Sequence, residues 1–290
     1  MHRIDTSTAQ VDKFGLGKNG FTGGNPQTGV LPTALDADYF DTLQEELAGV
    51  IEAAGLTLNK ANNSQLQAAI KALVGPGRLL NVQIIKATGI YTPYLGTKTI
   101  IVEMVSAGGA SGGVPASSSS ANFASGGGGG GGYAKFLISN PVATSVTVGA
   151  GGVGTSGGTG ATGGSTSFGS YANITGGSGS SYGQANGGAL IALGGSGGTA
   201  TVAASAQSIL TINGTVGFPA IMINGGSGAN HFGGSSVFGV GGIGSGNGSG
   251  GSGIGYGAGG GGSMRGTNNT GTSANGASGS GGIVIVWEYA

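Results

Sequence analysis

Apolar residues recur at three- and four-residue spacing in two segments of the N-terminal part of the chain. The first segment runs from Asp36 to about Ala54, and the second runs from Ser64 to Val74. This spacing gathers apolar side chains on one face of a helix, and the Gly-Pro-Gly sequence at 75–77 ends the second segment. The pattern therefore predicts two amphipathic helices, preceded by an arm whose glycine, asparagine and proline steps favour turns.

β-Branched and aliphatic runs predict strands on both sides of a glycine-rich region. They occupy residues 79–105, with a glycine- and proline-containing turn at 89–96, and return at Ile283–Tyr289. Shorter apolar inserts interrupt the glycine-rich region itself, at 133–138, 146–148, 190–193, 209–212 and 218–223.

Glycine and charge divide the chain unevenly. Of the 71 glycines, 59 follow residue 105, whereas 17 of the 20 charged residues precede residue 106. Such a composition is typical of a disordered linker, but a solvated linker has no use for the apolar inserts, which favour a folded domain. We expect three parts: an N-terminal attachment and oligomerisation module at 1–77, a strand-rich connector at 78–105 and a glycine-rich receptor-binding domain at 106–290.

The spacing of the glycines indicates how that domain packs. Collagen requires glycine at every third position and abundant proline, whereas residues 239–262 place glycine at alternate and successive positions. Polyglycine-II helices make no internal hydrogen bonds and must pair with close neighbours, where a Cβ has no room. The predicted fold class is a small α-helical N-terminal module plus short β-strands, then a glycine-rich domain of packed polyglycine-II helices. We expect residues 106–282 to have little regular secondary structure and almost no conventional sheet.

Composition also excludes several classes of function. Lys and Arg balance Asp and Glu at 10 each, so no basic surface is available to neutralise nucleic-acid phosphates. The chain has no cysteine, which excludes disulfides and thiolate metal sites. It also lacks an apolar run of about 18 residues, so we expect no membrane insertion.

Residues that carry chemistry are scarce. Glu288 is the only carboxylate residue beyond residue 105, whereas glycosidases usually need two. His2 and His231 are the only histidines, so we expect neither a metal cluster nor a catalytic triad, and we interpret His231 as a loop or surface residue. A nucleotide-binding glycine spacing at 239–244 is expected by chance at this glycine density. The sequence predicts no enzymatic activity, no cofactor and no metal.

Three segments of the glycine-rich region resemble the glycine-rich domain of phage tail-fibre proteins. They are Val146–Gly152 (VTVGAGG), Gly164–Gly169 (GSTSFG) and Gly282–Tyr289 (GIVIVWEY). Residues 1–74 are similar to the opening module of tail fibres in phages and prophages of Gram-negative bacteria. The architecture also resembles the adhesins of T-even-type phages, in which loops that connect polyglycine-II helices contact receptors.

The resemblance implies a protein of the virion tail fibre, made in the bacterial cytoplasm and active outside the host cell. Its N-terminal end would join other tail or baseplate proteins, and its distal end would recognise an outer-membrane protein or a surface glycan. Tail fibres are usually trimers, so the resemblance also implies a homotrimer. Two alternatives stay open: a structural spacer or trimerisation component without a receptor site, and a depolymerase.

Candidate contact residues follow from two considerations. Aromatic residues and arginine contribute most to interface energy, and those in the expected loops 114–124, 199–221, 229–238 and 264–276 are Phe123, Phe218, Pro219, His231, Phe232, Phe238 and Arg265. Each aromatic residue could equally pack over the glycine runs. In the N-terminal module, five apolar residues exceed what so short a segment can bury; these attachment or oligomerisation candidates are Tyr39, Phe40, Leu43, Leu47 and Ile51.

Overall fold

Two units make up the structure, and they are described separately. The computed structural model describes residues 2–75, 77–116, 121–186, 188–223, 227–229, 231–267 and 272–290. The first unit is Met1–Arg78 and the second is Leu79–Ala290.

Two helices form the main elements of the first unit, where the apolar spacing predicts them. They are α1 (Ala37–Ala53) and α2 (Gln65–Val74). The Asp36 carboxylate caps α1 by accepting a hydrogen bond of 3.2 Å from the backbone N–H of Asp38. Among the described residues of this unit, the only buried apolar side chains are those of Ile4 and Ala69. The unit therefore has a very small core for its length.

Strands dominate the described part of the second unit. They are β1 (Leu79–Ile85), β2 (Gly89–Tyr91), β3 (Thr99–Val105), β4 (Asn122–Ser125), β5 (Tyr133–Ser139), β6 (Thr144–Thr147), β7 (Thr166–Phe168), β8 (Ala172–Ile174), β9 (Tyr182–Ala185), β10 (Leu190–Ala192), β11 (Ala200–Val202), β12 (Gln207–Ile212), β13 (Ala220–Ile223), β14 (Ser227–Ala229), β15 (Gly239–Val240), β16 (Ile254–Gly255), β17 (Met264–Arg265) and β18 (Ile283–Tyr289).

Two five-stranded antiparallel sheets share the main core of this unit. The first has the strand order β1-β18-β3-β5-β12 and the second β11-β8-β7-β6-β2. Alternate residues of each strand point to one face, so Val102, Phe136 and Val286 of the first sheet meet Val146 and Phe168 of the second in one buried cluster. The two sheets therefore form a β-sandwich.

The sequence-based expectations for residues 78–282 need two corrections. Residues 78–105 are not a separate connector, because β1, β2 and β3 belong to the sheets of the sandwich. The expectation of almost no conventional sheet at 106–282 is wrong, because β4 to β17 fall there. Apart from 209–212, which is exposed throughout, the apolar inserts alternate between buried and more exposed side chains, as in 134–138. This alternation is the two-residue period of a strand.

Glycine-rich runs continue from the strands, and the run at 126–132 is surrounded by others. Every third backbone N–H of this run donates to the same neighbouring run, at 2.7–2.9 Å; the pairs are Gly127 to Phe218, Gly130 to Thr215, Gly128 to Gly260, Gly131 to Gly257 and Gly129 to Ser178. Its carbonyl groups accept hydrogen bonds with the same period. The backbone N–H groups that donate to them are those of Gly195 (to Gly127), Gly198 (to Gly130), Gly234 (to Gly128), Gly109 (to Gly129) and Ser106 (to Gly132). A strand has two hydrogen-bonded neighbours, whereas this run has six among the described residues.

Two three-stranded sheets lie at the other end of these runs and are called the far sheets. Their strand orders are β17-β4-β9 and β10-β13-β14. The runs 126–132, 175–181, 193–199 and 213–219 each join a sandwich strand to a far-sheet strand, and hydrogen bonds between their middle residues hold them side by side. The far sheets share a second small core that includes Leu190, Met222 and Met264.

No helix in the described part of the chain is both long enough and apolar enough to cross a bilayer.

Candidate receptor-contact surface

An apolar face is exposed on the far sheet that contains β10 and β13. Ile191 and Ile221 are directly paired across the two strands, and both are exposed, as are Leu193 and Ile223. The alternate residues Leu190 and Met222 are buried in the far-sheet core. Because both faces of these short strands carry aliphatic side chains, burying one face leaves the other apolar and accessible.

Phe218 and Phe232 extend the exposed apolar surface near β13. The backbone N–H of Phe218 donates to the carbonyl of Phe232 at 2.9 Å, and the rings meet edge to face with centroids 6.4 Å apart. Phe218 is 56% exposed, Pro219 is also exposed and Phe232 is half-buried. Backbone pairing between two glycine runs thus presents an aromatic pair with an accessible surface. We call Ile191, Leu193, Phe218, Pro219, Ile221, Ile223 and Phe232 the far surface.

Two of the contact candidates are buried. Phe123 lies in β4 and packs against Tyr182, with ring centroids 6.0 Å apart. His231 is 1% exposed, and its Nε2 lies 2.9 Å from the carbonyl oxygen of Ser245. His231 lies outside the helices and strands, as a loop residue would, but it is buried and is therefore not a surface residue. Its ring occupies space beside Gly244, where a Cβ would overlap it, so glycine makes room for this side chain.

The remaining two candidates have packing or hydrogen-bonding partners. Phe238 is half-buried and meets Tyr133 edge to face at 5.7 Å. The guanidinium of Arg265 donates to the carbonyl of Thr272 and to the side-chain oxygen of Asn247, both at 3.1 Å. Both side chains therefore connect segments within the second unit.

The expected contact loops correspond only partly to loops in the structure. Segment 199–221 contains β11, β12 and the first residues of β13. Residues 117–120, 230 and 268–271 of the other three segments lie outside the described residues.

Sequence reasoning missed the four aliphatic members of the far surface. It treated the segments LIAL at 190–193 and AIMI at 220–223 only as signs of an ordered core. The signal that could have found them was the lack of polar residues at alternate positions, because a half-buried strand normally carries them.

The attachment candidates all lie on α1. Phe40 and Leu47 are 45% and 43% exposed, and Tyr39, Leu43 and Ile51 are half-buried. Tyr39 packs against Phe21 of the N-terminal arm, with ring centroids 5.3 Å apart. One side of α1 therefore contacts its own unit, while Phe40 and Leu47 remain accessible.

Glu288 is buried inside the sandwich and is held by four hydrogen bonds. Its carboxylate accepts from the Tyr91 hydroxyl, the Tyr94 backbone N–H and the Asn81 amide, each at 2.8 Å, and from the Gln83 amide at 3.2 Å. Burial acts to raise the pKa of Glu288, but the hydrogen bonds outweigh it and hold that pKa below its ordinary value. Burial, followed by the bond to Glu288, raises the pKa of Tyr91. These contacts fit a structural role.

One group of side chains could approach a cation. Ligand atoms of His2, Asp5 and Asp36 lie within 4.8 Å of one another in the first unit, a grouping that the sequence analysis did not expect. His2 pairs with Asp36 at 3.7 Å, and Asp36 already caps α1. Helix capping and the contact between His2 and Asp36 account for the arrangement.

Comparison with known proteins matches a minority of the chain to a curated sequence. It is 65% identical over 74 residues to "Uncharacterized protein StfP" of Escherichia coli (strain K12). The match covers 26% of this chain and 35% of that protein. No family model matches the chain. The likeness is thus close but spans about a third of the relative's length.

Proposed function

We propose that this chain is a phage or prophage tail-fibre protein that attaches to the virion tail through its N-terminal unit and contacts a bacterial surface through its second unit. StfP carries a name of the prophage side-tail-fibre type, and the likeness to it supports a prophage tail-fibre-related protein. The receptor would be an outer-membrane protein or a surface glycan, and the other partners would be tail or baseplate proteins.

The glycine runs are proposed to be packed polyglycine-II helices that hold the far surface away from the sandwich. The three-residue period of hydrogen-bond partners around run 126–132 supports this assignment, because a polyglycine-II helix has three residues per turn and no internal hydrogen bonds. Close approach also supports it. A Cβ built on Gly128 would overlap the carbonyl of Gly109, and one on Gly260 would overlap the carbonyl of Ala277.

Self-association is proposed for the N-terminal unit, with a homotrimer as the assembly that the tail-fibre resemblance favours. Phe40, Leu43, Leu47 and Val50 follow the alternating three- and four-residue spacing of a coiled-coil seam. The small core of this unit supports the same proposal, because a folded unit that buries so little apolar surface gains stability from a partner.

The far surface is the observation that carries the proposed receptor contact. It is uncharged, apolar and partly aromatic, which is the composition of energetically important interface centres. We propose binding without catalysis, since the one carboxylate residue beyond residue 105 is buried and hydrogen-bonded within the fold.

Cell binding by the full-length protein tests the proposed function. Fluorescently labelled protein is incubated with a panel of Gram-negative strains, and with deletions of single outer-membrane proteins or of surface-glycan synthesis in a strain that binds. We expect saturable binding that one deletion abolishes. Binding to no strain would favour the spacer alternative, and release of reducing ends from surface polysaccharide would favour a depolymerase.

A further inference from the structure

The outer face of the first sandwich sheet is covered at one end only. Along β3, β5 and β18 the even-numbered residues point into the sandwich core, so the odd-numbered ones point outward. At the end next to the glycine runs, Val105, Tyr133 and Ile283 are buried beneath Phe238 and Tyr256.

The other end of this face carries an apolar patch with contributions from all five strands. Its members, which we call the outer patch, are Val82 and Ile84 of β1, Trp287 of β18, Ile101 of β3, Leu137 of β5 and Leu210 of β12. The strand registers place four of them in one row, since Val82 pairs with Trp287, Trp287 with Ile101, and Ile101 with Leu137. Ile84 and Leu210 are at the two ends of the neighbouring row, in which Ile285, Glu103 and Lys135 lie between them. Val82, Ile84 and Leu210 are exposed, at 37%, 60% and 46%, and the other three are half-buried.

Charges beside the outer patch neutralise one another. Lys135 and Glu103 form an ion pair of 2.7 Å. Burial, followed by the charge of Glu103 and a hydrogen bond to it, raises the pKa of Tyr133 to about 12, so this tyrosine stays neutral at physiological pH. Two identical copies of the patch would therefore not repel each other. A shallow hollow of about 230 Å³, lined by Trp287 and Ile101 together with the ion pair and Tyr289, could receive a side chain from a partner.

We infer that the outer patch is an interface with a second copy of this chain, additional to the association proposed for α1. This inference rests on the self-association part of the proposed function. β1 begins at Leu79, directly after the first unit ends at Arg78. Copies that associate through their first units therefore hold their outer patches at high effective concentration.

The size of the face also favours a tethered copy over an independent partner. Five strands spaced about 4.8 Å apart and about six residues long give a whole face of roughly 24 by 20 Å, or about 480 Å², and the outer patch occupies only part of it. A stable complex between separate proteins typically buries about 800 Å² on each partner. A patch of this size is sufficient only where another contact supplies the rest.

Trp287 makes the interface directly measurable, because it is the only tryptophan of the chain. The full-length protein is diluted over roughly a thousandfold range, and light scattering, tryptophan emission and acrylamide quenching are recorded. We expect blue-shifted, quencher-protected emission in the assembled protein and a red shift as it dissociates.

Two patch variants and one comparison variant in the other sheet complete the measurement. Ile84→Lys and Leu210→Lys change exposed residues of the two edge strands, and melting curves verify folding. Each is expected to weaken association about tenfold or more and to remove the quencher protection. Ile90→Lys, at a residue 75% exposed in β2 of the other sheet, should change neither.

Three results would overturn the inference: single copies at all concentrations, an assembled protein whose Trp287 is as accessible as in dilute chains, or folded patch variants that assemble like the unmodified protein. Leu47→Lys separates the two contacts. If Leu47→Lys dissociates the protein while the patch variants do not, the α1 contact stands and the outer patch is not an interface. Loss of assembly in the patch variants together with unaltered cell binding would leave the receptor proposal intact.

Discussion

Glu288 is a buried carboxylate, and the hydrogen bonds that it accepts determine both its pKa and its contribution to the free energy of unfolding. In Glu288→Gln the new amide N–H₂ would face donors that the carboxylate oxygens now satisfy, so we expect a loss of about 2–4 kcal/mol in unfolding free energy. Because the folded-state pKa is below the ordinary value, the stabilisation is present above about pH 4.3 and is lost as pH falls through the lower folded pKa. Urea unfolding from pH 7 to pH 3 measures both effects. Equal stability of Glu288→Gln and the unmodified protein at pH 7 would contradict this account, and Glu52→Gln on exposed α1 serves as the control.

Gly128 is a position at which the glycine runs pack too closely for any side chain. A Cβ there would overlap the backbone of Gly109 and separate runs that hydrogen-bond to each other. We expect Gly128→Val to cost several kcal/mol, because buried backbone groups would lose partners that water cannot replace. Gly246→Ala is the matched control in the same region, since a Cβ at that exposed glycine meets nothing within 4 Å. Thermal melting compares them, and similar melting temperatures would indicate that the runs are not tightly packed.

At the level of single residues, the sequence shows which residue types are rare, but it does not show which of those residues are buried. The scarcity of carboxylates identified Glu288 as unusual, but its burial depends on Asn81, Gln83 and Tyr91, which are about 200 positions away in the chain. The burial of His231 was missed for the same reason. The space that it fills is created by glycines from other runs, and no local pattern reveals it.

Among secondary-structure elements, those with a strong local period were predictable. The apolar spacing located α1 and α2, and the β-branched runs located β1, β3 and β18. The short strands within the glycine-rich region were missed, because three or four residues carry too little periodicity to distinguish a strand from an isolated apolar insert. Their partners are also distant in the chain, because β4 pairs with β9 and β17, and other strands lie between β4 and each of these partners.

Helix α1 presents a partly exposed apolar stripe that we expect to mediate self-association. A lysine at Leu47 would place a charge in the centre of the exposed apolar stripe, so Leu47→Lys should reduce association about tenfold or more while the helix remains formed. Glu45→Lys introduces the same side chain at an exposed position off that stripe and should have little effect. Light scattering measures association and circular dichroism measures helix content. Unchanged association of Leu47→Lys, or an unmodified protein that is monomeric, would argue against the α1 contact.

For the whole molecule, the division into two units predicts a specific pattern of proteolysis. The second unit contains only four trypsin sites, at Lys86, Lys98, Lys135 and Arg265, whereas the much shorter first unit contains six in a weakly buried structure. Cleavage should therefore accumulate up to Arg78 and leave a resistant fragment that begins at Leu79. Mass spectrometry of a digestion time course identifies this fragment. Early cleavage at Lys135, within β5 of the sandwich, would contradict the proposed stability of the second unit.

Two aromatic residues of the far surface are expected to contact a receptor while contributing little to the stability of the fold. Phe218 and Phe232 use their backbones to join two glycine runs, whereas their rings are partly accessible. Replacing both rings by methyl groups therefore keeps every backbone hydrogen bond and removes only contact area. Phe218→Ala combined with Phe232→Ala should leave melting nearly unchanged and reduce cell binding by about tenfold or more.

Comparison with two other variants makes that result interpretable. Phe14→Ala removes an equally large ring that is 64% exposed in the first unit, and it should bind cells normally. Gly128→Val should lower melting and binding together, because it disturbs the runs on which the far surface is mounted. Unaltered binding of the Phe218 and Phe232 double variant would place receptor contact elsewhere in the second unit. A large drop in its melting temperature would instead show that the two rings support the fold, since accessible contact residues contribute little to stability.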